Sequence, residues 1–310
     1  MTSTPSAPTS SSPPPATPTG ALRVVAAGPG ATIQDLGRPG WFSAGVGVSG
    51  AADAASLRLA NRLVANDEAA AGVECVLGGL QLEALRQVVV AVTGASAPIT
   101  VDDTAVALNS VLQLRPGQSL RLGLASAGLR VYVAVRGGVA VEPVLGSRSR
   151  DTMAGIGPEP LQAGDELPIG PPPANWPVVD LAPLAPVTTG PLSARVRLGP
   201  RDDWFTRPED LFEGHWQVTD RLDRVGVRLE RPDDQPALTR RDSRELPTEG
   251  MPLGAIQVPP SGEPVVFLAD HPITGGYPVI GVVSEADLSV VAQARPGQRL
   301  SFVPVRARPR

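Results

Sequence analysis

The sequence predicts a mainly β protein built as two β-rich lobes with a few short helices. Three observations carry that prediction. The chain has 310 residues, a length that suits two domains, each large enough to bury its own core. It holds 35 Pro and 33 Gly, together roughly double the average share, and in a helix interior these residues cost about 1 to 3 kcal/mol each. Short strands joined by turns are the alternative such chemistry favours. Hydrophobic residues make up 42% and charged residues 19%, the balance of a globular chain.

The elements follow in order. Residues 1–20, MTSTPSAPTSSSPPPATPTG, form a Ser/Thr/Pro tail that cannot bury enough apolar surface to order itself. The first lobe is expected over 21–167. LRVVAAG (Leu22–Gly28) reads as a strand, and Ala31–Asp53 as a long glycine-rich loop. Asp53 then caps a helix whose apolar face is Leu57, Ala60, Leu63 and Val64, with Asn66 closing it. Strands are read at GVECV around Cys75, at Arg86–Gly94, and in a hairpin, Pro98–Leu108, that turns at Asp102 and Asp103. Two more follow at LRPGQSLRLG and at Leu129–Gly138.

Residues 168–192 are rich in Pro and almost uncharged, and are read as the linker between lobes. The second lobe, 193–310, opens with a strand at Ala194–Pro200. A short helix is expected near TRPEDLFEG, where Thr206 and Glu209 have capping-box spacing. Strands recur at QVTDRLDRVGVRLE, GAIQVPP and Pro264–Asp270, and a last helix runs from Ser284 with Leu288, Val291 and Ala292 on one face. VVVAVTG followed by LRPGQSLRLG echoes VVFLADHPITG followed by ARPGQRLSFV, the pattern an internal duplication leaves.

Composition removes several function classes. The formal net charge is −4 and all 27 basic residues are Arg. Without lysine the chain has no Schiff-base, P-loop or pyridoxal phosphate chemistry of its own. No basic run suits nucleic acid. Cys75 is the single cysteine, too few for a disulfide framework or a cysteine-rich metal site. The two histidines, His215 and His271, give metal little to bind, so no metal is expected. No apolar run approaches the ~18 residues of a membrane span. The tail lacks the basic start and apolar centre of a signal peptide. A cytoplasmic location follows by elimination.

Four polar, glycine-rich loops are the candidates for chemistry. In the first, Thr32–Gly40, Gln34, Asp35 and Arg38 sit among glycines that admit close backbone approach. Arg38 offers a fork for carboxylate or phosphate, or simply braces the loop against Asp35. The second pairs Arg136 of AVRGG with VLGSRSRDTMAGIG, where Ser147 and Ser149 flank Arg148, a set suited to an anion or to a solvated loop. The third, TDRLDRVG, holds Asp223 and Arg224, read either as site residues or as a structural pair. The fourth runs from Arg240 to Pro278. In it Thr248, Glu249, Gln257, Asp270, His271, Thr274, Gly275, Gly276 and Tyr277 can line one mouth of a barrel. His271 at a strand end is either an acid or base, or a hydrogen-bonded structural histidine. Asp270, His271 and Glu249 are the candidate catalytic groups.

TIQDLGRPG, VSGAAD, LRLANRLVAN, LGG, AVRGG, VLGSRS, GPRDDWF, RRDSRELPTEG, GAIQVPPSGEPV and TGGYP occur in one order. In that order they resemble the family that includes the C subunit of 5-oxoprolinase, KipA and allophanate hydrolase subunit 2. The carboxyltransferase region of urea carboxylase is similar as well. The resemblance spans about residues 22–305, and VSGAAD adds Ser49 and Asp53 to the substrate-binding candidates. It implies a cyclophilin-like β-barrel and a partner, the KipI-like B subunit. In the 5-oxoprolinase branch an A subunit joins them, and the complex opens 5-oxoproline, a small cyclic amide, to glutamate with ATP hydrolysis. The carboxylase branch implies carboxyl transfer from carboxybiotin to an amide nitrogen. A third branch is a KipA-like binder of a KipI-like kinase inhibitor, with no catalysis. None of these implies a covalently bound cofactor, a nucleic acid or a membrane.

The sequence departs from the family pattern at two informative positions. Val279 follows GGYP where many relatives carry Lys, and His271 follows Ala-Asp where many carry Arg. Transfer chemistry that needs a lysine ammonium finds none here, and Arg does not reproduce that point geometry. The 5-oxoprolinase branch, with this chain as one component of the complex, is therefore the expected function.

Overall fold

The computed structural model describes residues 20–305 apart from 186, 233, 234, 236, 242 and 243. The Ser/Thr/Pro tail lies, except for Gly20, outside the described residues. The first lobe contains β1 (Gly20–Ala26), β2 (Thr32–Gln34), α1 (Ala54–Leu63), β3 (Gly72–Val76), β4 (Gln81–Ala84) and β5 (Val88–Ser96). The hairpin β6 (Ile99–Val101) and β7 (Thr104–Val106) follows, then β8 (Val111–Leu114), β9 (Ser119–Leu122), β10 (Ala127–Val135) and β11 (Glu166–Pro168). They form a six-stranded sheet, β11-β1-β4-β9-β6-β7, and a five-stranded sheet, β2-β3-β10-β5-β8.

The apolar run of β5 has partners on both faces. Val90 and Val92 join Val131 and Val133 of β10 in the core between the sheets. The alternate residues Val89 and Ala91 pack with Ala134 against Ala60, Leu63 and Val64 of α1. Period-2 alternation sends neighbours to opposite faces, so burial on both makes the strand continuously apolar. Asp53 caps α1 as its sequence predicts, accepting a hydrogen bond of 3.1 Å from Ser56 N. The hairpin turns at Asp102 and Asp103, both at positive φ, as the Asp-Asp pair predicts.

The second lobe contains β12 (Leu192–Leu198), β13 (Trp216–Leu222), β14 (Gly226–Glu230), β15 (Glu249–Gly250), β16 (Ala255–Gln257) and β17 (Val265–Phe267). It ends with β18 (Thr274–Gly275), β19 (Val279–Val283), α2 (Leu288–Ala292) and β20 (Arg299–Pro304). Seven of these strands close a barrel, β12-β19-β16-β17-β14-β13-β20. β12 completes the circle by pairing antiparallel with β19 and parallel with β20. Closure removes the exposed edges. Val196, Leu229, Ile256, Val266, Ile280 and Phe302 fill the interior. β15 and β18 pair separately as a small two-stranded sheet.

The lobes interlock through side chains. Gln293, just past α2, accepts from Leu129 N and Arg130 N at 2.8 and 2.9 Å and donates to Asp53 Oδ2 at 2.7 Å. Arg130 of β10 reaches back to the carbonyls of Ala292 and Asp223. Among the described residues no helix is long and apolar enough to cross a membrane.

The RPGQ echo is a repeated turn. Gln118 Oε1 accepts from Arg115 N at 2.9 Å, and Gln298 Oε1 accepts from Arg295 N at 2.8 Å. Each turn then exchanges a pair of backbone bonds with one neighbouring-strand residue, Ala84 or Val218. Gly117 and Gly297 both adopt φ +83°, a geometry open to glycine.

Two local expectations, the uninterrupted loop and a capping box, need correction. The loop expected over 31–53 begins with β2, because Thr32–Gln34 pair with Glu74, Val73 and Gly72 of β3. Asn66 closes α1 as expected: beyond the C-cap Val64 its backbone N–H returns to Asn61 O at 2.9 Å, and its side chain donates to Val135 O and accepts from Gly137 N, both at 2.8 Å, tying the helix exit to β10. The Thr206–Glu209 capping box does not form. Arg207 precedes a 3-10 turn, Pro208–Phe212, without a side-chain cap, and Glu209 instead lies 3.7 Å from Arg207. The Pro-rich stretch after β11 lies against the first lobe: Ile169 bridges Val139, Leu181 bridges Ser110, and Arg136 stacks 4.8 Å over Trp176.

Candidate functional site

A cleft of about 400 Å³ opens on the barrel's outer wall. Its floor is built by the residues that alternate with the interior ones. Val266 points inward, so Val265 and Phe267 of β17 point out. They cluster there with Met251, Ala255 and Val279. The end of β13 supplies Arg221, the β13–β14 turn Asp223 and β14 Arg228, and Gln257 and Tyr277 close the far side.

Local irregularities aim these groups. The pairing of β16 with β19 shifts register between Ile256 and Gln257, and such bulges re-aim side chains. Gln257 Nε2 donates to Tyr277 O at 3.3 Å and touches Met251 Sδ at 3.8 Å. A Cβ on Gly275 would lie 2.5 Å from that Nε2, so glycine there leaves room for the amide. Asp223 Oδ1 accepts from Val225 N and Gly226 N at 2.7 and 3.1 Å, which fixes the turn. Arg221 pairs with Glu263 at 3.1 Å, whereas exposed Arg228 has no ion pair among the described residues. The cleft thus presents a free guanidinium, an amide and a half-exposed tyrosine above an apolar floor. That set can hold a small planar anion or amide.

Behind the cleft runs a buried polar seam between the lobes, and most of the other candidates fall there. Arg224 holds Asp270 with two hydrogen bonds, Nε–Oδ2 2.8 Å and Nη2–Oδ1 2.9 Å, and reaches Glu74 at 2.6 Å. Glu74 also accepts from Tyr132 Oη at 2.7 Å and Ala52 N at 3.0 Å. Asp270 takes further bonds from Ser49 Oγ at 2.6 Å and from Thr152 Oγ1 at 2.7 Å. Burial alone would raise both carboxyls, but the guanidinium of Arg224, joined by Arg130 and hydrogen bonds from Tyr132 and Ala52 at Glu74 and by hydrogen bonds from Ser49 and Thr152 at Asp270, holds both below the usual carboxylate range. Burial likewise opposes charge on Arg224, and the Glu74 and Asp270 carboxylates overcome it to raise its pKa. All three stay charged.

The two N-terminal loops join the same seam. Asp35 accepts from Ser147 Oγ, Ser149 Oγ and the Arg148 and Gly37 amides at 2.5–2.7 Å. Both hydroxyls flanking Arg148 are therefore spent on Asp35, and Arg148 Nε donates to Val141 O at 2.7 Å. Arg38 donates to Ser149 O rather than pairing with Asp35. It is 1% exposed, and burial lowers its pKa against the pull of Asp151, Asp35 and Asp270. Gln34 donates to Arg150 O at 2.9 Å. Arg136 is remote from both regions, donating to the Val64, Pro173 and Asn175 carbonyls.

The single barrel mouth expected from the fourth loop therefore divides in two. Gln257 and Tyr277 reach the cleft together with Asp223, while Asp270 belongs to the seam. Asp223 and Arg224 are neighbours that point to different places rather than a pair. His271 is 8% exposed and stacks on Phe267 with centroids 6.0 Å apart. Its Nδ1 lies 2.8 Å from Pro272 O, so that nitrogen carries the proton and Nε2 is left as an acceptor. Burial pushes its pKa down despite the Pro272 carbonyl and nearby Asp270, so the ring is neutral at physiological pH. Glu249 is gripped by both Arg201 nitrogens, whose hydrogen bonds lower its pKa. Thr274 and Gly275 are used in backbone pairing with Gly250 and Glu249, and Gly276 and Thr248 adjoin that small sheet.

Arg228, Val265 and Phe267 are cleft residues that the sequence candidates do not include. The alternation of GVRLE and VVF carries the signal, because every second residue of a barrel strand faces outward. Cys75 is buried, and desolvation pushes its thiol up to about 12, so it is inert as its strand context predicts.

Comparison with known proteins completes the picture. The chain is 38% identical over 289 residues to the C subunit of 5-oxoprolinase from Escherichia coli strain K12, covering 91% of this chain and 90% of that one. The crystal structure of TTHA0988 superposes with TM-score 0.82 at 36% identity, over 94% of this chain and 57% of that chain. The chain thus spans little more than half of TTHA0988. The crystal structure of K. lactis urea amidolyase gives TM-score 0.85 at 32% identity, covering 92% of this chain and 19% of that one. The family described as carboxyltransferase domain, subdomain A and B, matches residues 44–304. The chain belongs to the carboxyltransferase domain, subdomain A and B, family.

Proposed function

We propose that this chain is the C subunit of a 5-oxoprolinase-type amide hydrolase, and that the barrel-face cleft receives the lactam. The observation that carries this reading is end-to-end likeness to a 5-oxoprolinase C subunit, 91% of one chain against 90% of the other. In urea amidolyase the matching region is 19% of a much longer chain. Position 279, where lysine-dependent carboxyl transfer would place an ammonium, holds a buried valine.

Arg228 takes the substrate carboxylate, because a free guanidinium forks onto carboxylate oxygens. Gln257 matches the lactam, donor to carbonyl and acceptor to N–H. Asp223 fixes the turn beside them, Phe267 and Val265 carry the ring, and Tyr277 covers it. The candidate acids and bases Glu249, Asp270 and His271 are ion-paired or neutral behind this cleft, so ATP use and the acid–base chemistry fall to the partner A and B subunits. This chain binds and orients.

The test is ATP-dependent glutamate release from 5-oxoproline by this chain together with its A and B partners. Arg228→Ala and Gln257→Ala are expected to raise KM at least tenfold with folding intact. Activity with carboxybiotin and urea, and none with 5-oxoproline, would reject the reading.

A further inference from the structure

A larger cavity, about 710 Å³, lies on the other side of the polar seam, between the lobes. It is distinct from the barrel-face cleft and shares no lining residue with it. One wall is α1 and the chain leading into it; the other is the segment running into α2. Its volume falls in the roughly 300–1,000 Å³ range of small-molecule sites, which favour domain interfaces.

The two walls carry opposite charge. On α1, Arg58 and Arg62 sit four residues apart and share one carboxylate, Glu68, at 3.8 and 2.8 Å. Two cations against one anion leave that wall positive. Arg58 Nε is buried and has no hydrogen-bond partner. Pairs as exposed as these contribute only about 0–1 kcal/mol, so a ligand carboxylate can take the guanidinium forks. On the opposite wall, exposed Glu285 has no ion pair among the described residues, since the neighbouring Asp287 is the partner of Arg195. Between these poles Ala51, Ala52 and Ala269 leave a low apolar floor, and Ser284 and Ser289 add hydroxyls.

We propose that this cavity is a binding site for a short zwitterionic peptide of two or three small residues. Its α-carboxylate lies on Arg58 and Arg62, its α-ammonium on Glu285, and its side chains on the alanine floor, with serine hydroxyls meeting its backbone. Charges placed on opposite walls favour a ligand whose ends are set apart, as in a peptide of two or three residues, over a single amino acid, whose ammonium and carboxylate flank one carbon. Occupancy also has a route to the barrel-face cleft. Ser49 lines the cavity and donates to Asp270 at 2.6 Å. Asp270 holds Arg224, which sits between the cleft residues Asp223 and Val225. The site stands on its own geometry and does not depend on the reaction assigned above.

Calorimetric titration of the full chain with tri-alanine tests the proposal. Saturable binding is expected, weakened at least tenfold by C-terminal amidation or by N-terminal acetylation of the peptide. Arg58→Ala with Arg62→Ala should weaken the free peptide similarly but leave the amidated one unchanged, and Glu285→Gln should do the same for the acetylated one. Alanine alone should bind at least tenfold more weakly than tri-alanine. Absence of saturable binding, or binding indifferent to both end groups, overturns the proposal, and the peptide variants give that answer even if a protein variant misfolds.

Discussion

Arg224 grips Asp270 with two parallel hydrogen bonds, 2.8 and 2.9 Å long, across a buried junction that also contains Glu74. Removing the cation strands two buried carboxylates. Arg224→Ala is therefore expected to cost about 3–5 kcal/mol, read as a lower urea midpoint. Arg224→Lys keeps charge but loses the fork and should fall between. An Arg224→Ala chain as stable as the parent would show that the junction is not held this way.

The same carboxyls set an acid limit. Asp270 and Glu74 are held below their ordinary values in the folded chain, chiefly by Arg224 acting against burial. Their contribution is fully present above the unfolded pKa, about 4, and is lost as pH falls through the folded values. The urea midpoint should be insensitive to these groups near neutrality and drop on acidification below about pH 4. In Arg224→Ala that drop should shrink, since the carboxyls no longer gain from ionisation.

Asp53 has two tasks. It caps α1 through Ser56 N and accepts from Gln293 of the other lobe at 2.7 Å. Asp53→Ala should cost about 1 kcal/mol for the cap alone, and more in total because Gln293 loses its acceptor. Asp53→Asn retains a capping oxygen and should cost less; equal losses by calorimetry would contradict the double role.

Gly275 leaves the space that Gln257 Nε2 occupies, 2.5 Å from where a Cβ would stand. Gly275→Ala should swing the Gln257 side chain aside without a large change in stability, because the end of a flexible side chain moves more cheaply than backbone. Under the proposed function KM rises while Tm holds. A crystal structure of the variant with Gln257 unmoved would refute the contact.

Cys75, with its thiol pushed up to about 12 by burial, should not react with a thiol reagent such as DTNB in the native state. One equivalent should react once urea unfolds the chain. Rapid native labelling would mean that β3 opens readily.

Local chemistry is readable wherever a few adjacent residues decide the outcome. Asp53 announces a helix start, Asp102–Asp103 a hairpin turn, and the two RPGQ stretches a turn that recurs in both lobes, because caps and turns are settled by neighbouring side chains and backbone. The four glycine-rich loops are also identifiable as polar and unusual. Their destinations are not. Ser147, Ser149 and Arg148 have the chemistry of an anion cradle, but Asp35, more than a hundred residues away, claims the hydroxyls.

What the sequence determined by itself is therefore the mainly β class, the positions of turns and caps, the inert thiol and the absence of lysine chemistry. These follow from composition and short-range preference. The tertiary structure alone decided that Arg224 and Asp223, adjacent in the chain, serve different ends, one locking the lobes and the other framing a cleft with Arg228, Gln257 and Tyr277. The physical reason is long-range assembly, both closure of the barrel and docking of the two lobes. Closure turns alternate strand residues to opposite sides of one wall, and docking brings together carboxylates and guanidiniums of both lobes that no local spacing relates.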